Sequence, residues 1–348
     1  MIDPEQSVIQ SVSVHHVGNA SVEEPIKLSD APLELDQERI TNLLQVYFLS
    51  GFNTPEYHSF TFSNEDFSLN PVYRLVSEIH DEPGLLHENS RSLAQLLHSV
   101  SDHPNIKSGD LYVAYFSALA VNGQHVEAVG IFKCENKETF LKLKSYSNQF
   151  DLAADEGINI RKLDKGCLIL NVEKDSGYKV LIVDNSNRNE AQYWKQSFLN
   201  LKPWCDAFHQ THQYMSMTRE FVEHQIPEEF KVTKADQIDL LNRSVNFFKS
   251  KEQFNQSEFE VEVLGDADVI ESFRNYGKNF MANADVEMED NFEISVPAVK
   301  RQARVFKSVL KLDKNFHIYI HGDRELIEKG FDEAVGKHYY KIYFDNES

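Results

Sequence analysis

The chain has no uninterrupted apolar run approaching the roughly 18 to 20 residues that a bilayer-spanning helix requires. Met1-Ile2-Asp3-Pro4-Glu5 also lacks the basic start and apolar stretch of a secretion signal, so a cytoplasmic protein without a membrane contact is expected. Cysteine is scarce. Cys134, Cys167 and Cys205 stand far apart, none in a CxxC pair, which removes the usual zinc and dithiol patterns, and their odd number suits a reducing compartment. They read as small buried apolar residues. Glycine and proline number only 14 and 10, and no repeat or low-complexity tract is visible, so the disordered and repetitive classes are excluded. No phosphate-cradling glycine loop, no GxGxxG after a strand, no HExxH and no nucleophile elbow occurs. The familiar enzyme classes are left without their signatures, and neither a cofactor nor a metal is expected. Cations are also in the minority. Against 55 Asp and Glu the chain sets 35 Lys and Arg, a net charge of -20, and a uniformly anionic surface repels phosphate backbones over a Debye length. Any contact with nucleic acid must therefore be local.

What is present is the material of a folded protein, with 24 Phe and 14 Tyr and a length sufficient for two domains that each bury a core. Ile40, Leu43, Leu44, Tyr47 and Phe48 fall on one helical face, with Asp36 in position to cap it. A second helix is expected near Leu93 to Val100, after the Pro83-Gly84 break. The period then changes to that of strands at Leu111 to Val121, Val126 to Phe132, Cys167 to Val172 and Tyr178 to Asp184. Asp175-Ser176-Gly177 should turn the last two into an antiparallel hairpin. Helical spacing returns with Ala191, Trp194, Phe198 and Leu201. It recurs beyond Pro203 toward His224, then at Ile238 to Phe248 and at Val269 to Phe280. Strand-like runs close the chain at Val305 to Leu312, Phe316 to His321 and Tyr339 to Phe344. Clustered strands with helices grouped between them give an α+β class, antiparallel sheets with segregated helices. Ile226-Pro227-Glu228-Glu229 is the expected joint, leaving an N-terminal α+β domain of residues 1–225 and a C-terminal domain of residues 226–348, helical with a small antiparallel sheet.

Three phrases carry a family resemblance. They are Gly157-Ile158-Asn159-Ile160-Arg161-Lys162-Leu163-Asp164-Lys165-Gly166-Cys167-Leu168-Ile169-Leu170-Asn171, the pairs Tyr193-Trp194 and Phe198-Leu199, and the run from Phe306 to Gly322. With them the chain resembles the bacterial 37-kDa nucleoid-associated protein family (NdpA/YejK-like), and the resemblance spans nearly the whole chain. It implies a non-enzymatic, nucleoid-localised protein that binds DNA. No motif transfers the residues that touch it.

The residues offer one site of their own. Lys300, Arg301, Arg304, Lys307, Lys311 and Lys314 meet a single opposing charge, Asp313, in an otherwise anionic chain. Such an island can neutralise phosphates. Strand alternation puts Lys307 and Lys311 on one face, and lines up His317 with Tyr319 and His321, and Tyr339 with Lys341 and Tyr343. If the three strands join in one sheet, cations stand beside rings that stack on bases or sugars, as in single-strand binders. Alternatively that face is covered by a helix or by a second subunit in a homo-oligomer, with lysine stems reaching past it to water. At the level of function, the competing expectation is an acidic module that engages proteins that handle DNA, rather than DNA itself.

Other constellations are weaker. Arg161, Lys162 and Lys165 enclose Asp164 and read as a solvated turn. Asp110 with Glu135-Asn136-Lys137 has the residue types of a metal-dependent nuclease, though an acid two positions before a lysine is commonplace. His209 and His212 are one helical turn apart, with Glu220 and His224 further along, and a third metal ligand would have to come from elsewhere. His15 and His16 adjoin in a strand and must point to opposite faces.

Overall fold

A run such as Leu111 to Val121, apolar at odd and even positions alike, belongs in a strand covered on both faces. A computed structural model shows this arrangement; it describes residues 2–53, 56–147, 149–185, 193–284, 286–306, 309–320 and 324–346. The chain forms two compact units, Met1–Trp204 and Cys205–Ser348, dividing ahead of the joint expected at 226.

The first unit contains β1 (Ile2–Val17), α1 (Glu38–Leu49), β2 (Tyr57–Phe60), α2 (Pro71–Asp81), α3 (Leu86–Val100), β3 (Gly109–Val121), β4 (Gln124–Cys134), β5 (Glu138–Tyr146), β6 (Gln149–Gly157), β7 (Lys165–Leu170), β8 (Lys179–Asp184) and β9 (Leu201–Pro203). Seven of these strands make one antiparallel sheet in the order β1-β3-β4-β7-β8-β2-β9. Leu111, Val113, Tyr115, Val129, Ile131, Cys167 and Ile169 pack against α2, α3, Trp194 and Phe198. Their neighbours Tyr112, Ala114, Phe116, Ala128, Phe132, Leu168 and Leu170 pack with Tyr47, Phe48 and Phe52. The period of two thus splits the apolar residues between two cores. Phe48 stacks on Phe132 at 4.2 Å between centroids.

The expected hairpin forms between β7 and β8, and Gly177 takes a φ of 88° in its turn. Trp194 and Phe198 lie in one π-helical turn, Tyr193–Leu199, while Ala191 lies outside the described residues. α1 starts after Gln37 rather than Asp36, with no side-chain cap, and only its last turn is buried; Ile40 and Leu43 remain exposed. β5 and β6 leave the sheet as a separate two-stranded ribbon.

The second unit contains α4 (Ala207–Glu220), α5 (Ile226–Glu229), α6 (Lys234–Ser250), β10 (Gln253–Asn255), α7 (Gln256–Phe259), α8 (Ala267–Ala284), β11 (Asn291–Glu293), α9 (Val296–Ala303), β12 (Val309–Leu312), β13 (Phe316–Tyr319), β14 (Ile327–Asp332) and β15 (Lys337–Ile342). Its main core is rich in aromatic rings: Tyr214, Phe221, Phe248, Phe254, Phe259, Phe273 and Phe292 meet between α4, α6 and α8. α6 starts from a reciprocal cap in which Thr233 and Asp236 each bond the other's backbone, a capping box. Its first turns present Ala235 and Ile238 to Leu310, Ile320 and Ile327. That small second core anchors the terminal strands.

Those strands correct one expectation. They form two separate hairpins, β12 with β13 and β14 with β15, rather than one three-stranded sheet, and β14 was not expected at all. Of the cysteines, Cys134 and Cys167 are buried as expected, but Cys205 is exposed.

Candidate nucleic-acid interface

Ala298, Val299 and Gln302 turn one side of α9 inward, so Lys300 and Arg301 face outward, and Arg304 follows at the C-cap, also exposed. Cations at a helix C-terminus offset the partial negative charge of its carbonyls, which places all three favourably. From Arg304 the chain reaches β12 in five residues, a span of at most about 18 Å. The basic helix end and the hairpin are therefore local to one another. Lys307 lies outside the described residues.

In the hairpin, Val309 pairs with Tyr319 and Lys311 with His317, so these four share a face. Leu310, Leu312 and Ile318 share the other and pack toward α6. Lys311, His317 and Tyr319 are all exposed, and Lys314 stands exposed in the turn beside Asp313, whose φ is 51°. The structure therefore gathers Lys311, His317 and Tyr319 on an outward face of the kind the alternation predicts.

The last hairpin carries mixed charge. Tyr339, Lys341 and Tyr343 are exposed, and the register sets Lys341 opposite Glu328 and Lys337 opposite Asp332. The Lys341 ammonium lies 4.7 Å from the centre of the Tyr343 ring, and a hydrogen bond with the Tyr343 hydroxyl holds its pKa above the usual lysine value. Tyr343 donates to Glu328 Oε2 at 3.1 Å. Tyr339 lies over Gly330, where a Cβ would collide with its ring.

Of the nuclease-like residues, Asp110 and Lys137 come together and Glu135 does not join them. Lys137 reaches Asp110 at 3.0 Å and His16 reaches the same carboxylate at 2.9 Å. Burial opposes the charge on Asp110, but those two bonds outweigh it and leave its pKa lowered. Glu135 points into the unit instead. Its carboxylate sits 3.1 Å from the Lys133 ammonium and 3.5 Å from that of Lys165, which also meets Asp184 at 3.0 Å. Tyr193 accepts from Lys133 and donates to Glu135, both at 3.0 Å. Lys133 and Lys165 are fully buried, and burial pulls the pKa of Lys133 down against the pull of Glu135. Lys165 is accordingly a structural ion rather than part of a solvated turn; only Arg161 and Lys162 stay exposed. Asp164 is buried too, accepting from the backbone of Glu135 and Asn136 at 2.8 and 2.9 Å.

His209 and His212 are half-buried on α4, with His212 stacked against Phe208. Among the described residues, no three His, Cys, Asp or Glu side chains come together as metal ligands. His15 is buried and His16 exposed, on opposite faces of β1 as expected.

One feature carried no sequence signal. A half-open cleft of about 440 Å³ in the second unit is lined by Arg274 and Lys278 of α8 with Asn255, Glu260 and Asp290. Arg274 holds the buried Glu260 carboxylate by two bonds, at 2.9 and 2.6 Å, so these two charges in the cleft neutralise each other.

No helix among the described residues is long and apolar enough to cross a membrane. No curated protein matches the chain. The family described as nucleoid-associated protein YejK, however, matches residues 13–348, through both the seven-stranded sheet and the α6-anchored hairpins. The chain therefore belongs to the nucleoid-associated protein YejK family.

Proposed function

We propose that this nucleoid-associated chain binds DNA without catalysing a reaction on it, through the basic end of α9 and the outer face of the β12–β13 hairpin. Lys300, Arg301, Arg304, Lys311 and Lys314, with Lys307 between them in sequence, supply the phosphate contacts, and Tyr319 supplies a ring beside them. The observation that carries this reading is the outward placement of Lys300, Arg301, Arg304, Lys311 and Lys314 within one short stretch of a chain of net charge -20. Lys341 adds less, because it shares its face with Glu328 and Asp332. Tyr339 and Tyr343 flank that mixed face and serve as secondary contacts.

A mobility-shift titration of the full chain at low salt tests this. Lys311→Glu combined with Lys314→Glu should weaken binding by at least about 10-fold, since each reversal replaces a favourable phosphate contact with a repulsive one. Unchanged affinity would remove the hairpin from the interface. The competing reading, a protein-docking module, draws on the same net charge of -20 and forecasts no shift at any salt concentration.

A further inference from the structure

The β5–β6 ribbon stands apart from the large sheet, and no third strand pairs with it among the described residues. Every residue of β5 is exposed, and β6 is nearly as open. The register gathers four large apolar side chains on one face. Leu141, Leu143 and Ser145 lie beside Ala154, Leu152 and Phe150 on one face, which ends at Thr139 and Glu156, while Lys142, Lys144, Asp151 and Asp155 occupy the other together with Phe140 and Tyr146. Leu141, Leu143, Phe150 and Leu152 are 69%, 64%, 73% and 60% exposed.

A two-stranded ribbon is marginal in water unless its apolar face is covered. Those four side chains expose on the order of 400–500 Å² together, close to the largest apolar patch a single soluble chain usually tolerates. Two such faces laid together would bury about 1,000 Å², the threshold for a specific interface.

We propose that the covering partner is the same ribbon of a second copy of this chain, stacked in the reverse direction about a two-fold axis at Leu143 and Leu152. That axis sets Phe150 over Ala154 of the second copy and Leu141 over Ser145, so large meets small on both strands. Leu143 and Leu152 then each meet their own counterpart, as an isologous contact requires. Charge argues against DNA as the occupant: residues 138–157 carry Glu138, Asp151, Asp155 and Glu156 against only Lys142 and Lys144. Neither lysine lies on the apolar face.

Sedimentation of the full chain at micromolar concentration tests the proposal, with DNA absent. The wild type should run at twice the chain mass of 40.2 kDa. Leu143→Glu and Leu143→Lys each place like charges at the axis and should weaken the dimer by at least about 100-fold, while their equimolar mixture restores it. Ala154→Trp, which fills the space under Phe150, should also dissociate the dimer and leave the melting temperature of the single chain unchanged. A monomeric wild type, dimers persisting in both charge variants, or a mixture that stays dissociated would overturn the assignment.

Discussion

Glu135 is held by two lysines that water cannot reach; its removal strands the charge of Lys133, while Lys165 keeps Asp184 at 3.0 Å. A buried pair broken on one side typically costs about 3–5 kcal/mol, and Glu135→Ala should lower the urea midpoint of the first unit accordingly. An unchanged midpoint would mean that Lys133 finds another partner. A second residue-scale effect depends on pH. His15 accepts from the Ser29 backbone N–H at Nδ1 and bonds Ser90 through Nε2, which fixes the neutral ring. Burial, with the nearby His87 and Arg91, pushes its pKa down from 6.5 to about 4. The unfolded chain therefore takes up the proton first as pH falls. Stability is intact above 6.5 and declines by up to about 3 kcal/mol toward pH 4. His15→Gln should flatten that slope in denaturation curves taken between pH 7 and 4; an equally steep slope would place the titration elsewhere. Neither role was legible in the sequence. Lys165 beside Asp164 looks like a solvated turn because its partners, Glu135 and Asp184, come from other strands and follow no local period.

Among the elements, those with a strong period were readable. β3 and β7 announced themselves by unbroken apolar runs, and the turn at Gly177 by its residue types. There a Cβ would come within 2.8 Å of the Phe60 carbonyl while φ stays at 88°. Gly177→Ala should cost about 1–3 kcal/mol in thermal denaturation, and a neutral result would mean the β7–β8 turn can relax. At the start of α6, Thr233→Ala removes one half of the reciprocal cap and should cost about 1 kcal/mol by the same measurement. β14 escaped notice because Ile327-Glu328-Lys329-Gly330-Phe331-Asp332 holds only two large apolar residues and a glycine. Without it, the final strands looked like three members of one sheet. α1 misled differently: Ile40 and Leu43 share the apolar face that the period predicts, yet they stay 42% and 37% exposed while Tyr47 and Phe48 are buried.

For the whole molecule, the family and the α+β class were visible in the order of segments, whereas the clustering of cations needed coordinates to become a surface. Sequence alone set Lys300 to Lys314 together; the fold turns the side chains of Lys300, Arg301, Arg304, Lys311 and Lys314 outward and sets Lys311 beside His317 and Tyr319. The most direct test is the salt dependence of DNA binding by the intact chain. If the α9 end and the hairpin neutralise four to six phosphates, log K against log salt should fall with a slope of about -3.5 to -5.5. Replacing Arg301, Arg304, Lys311 and Lys314 by Gln should reduce that slope by about 3 to 4 while leaving the melting temperature in place. A slope that is the same in the wild type and the fourfold variant, or no binding by the wild type even at low salt, would contradict the account.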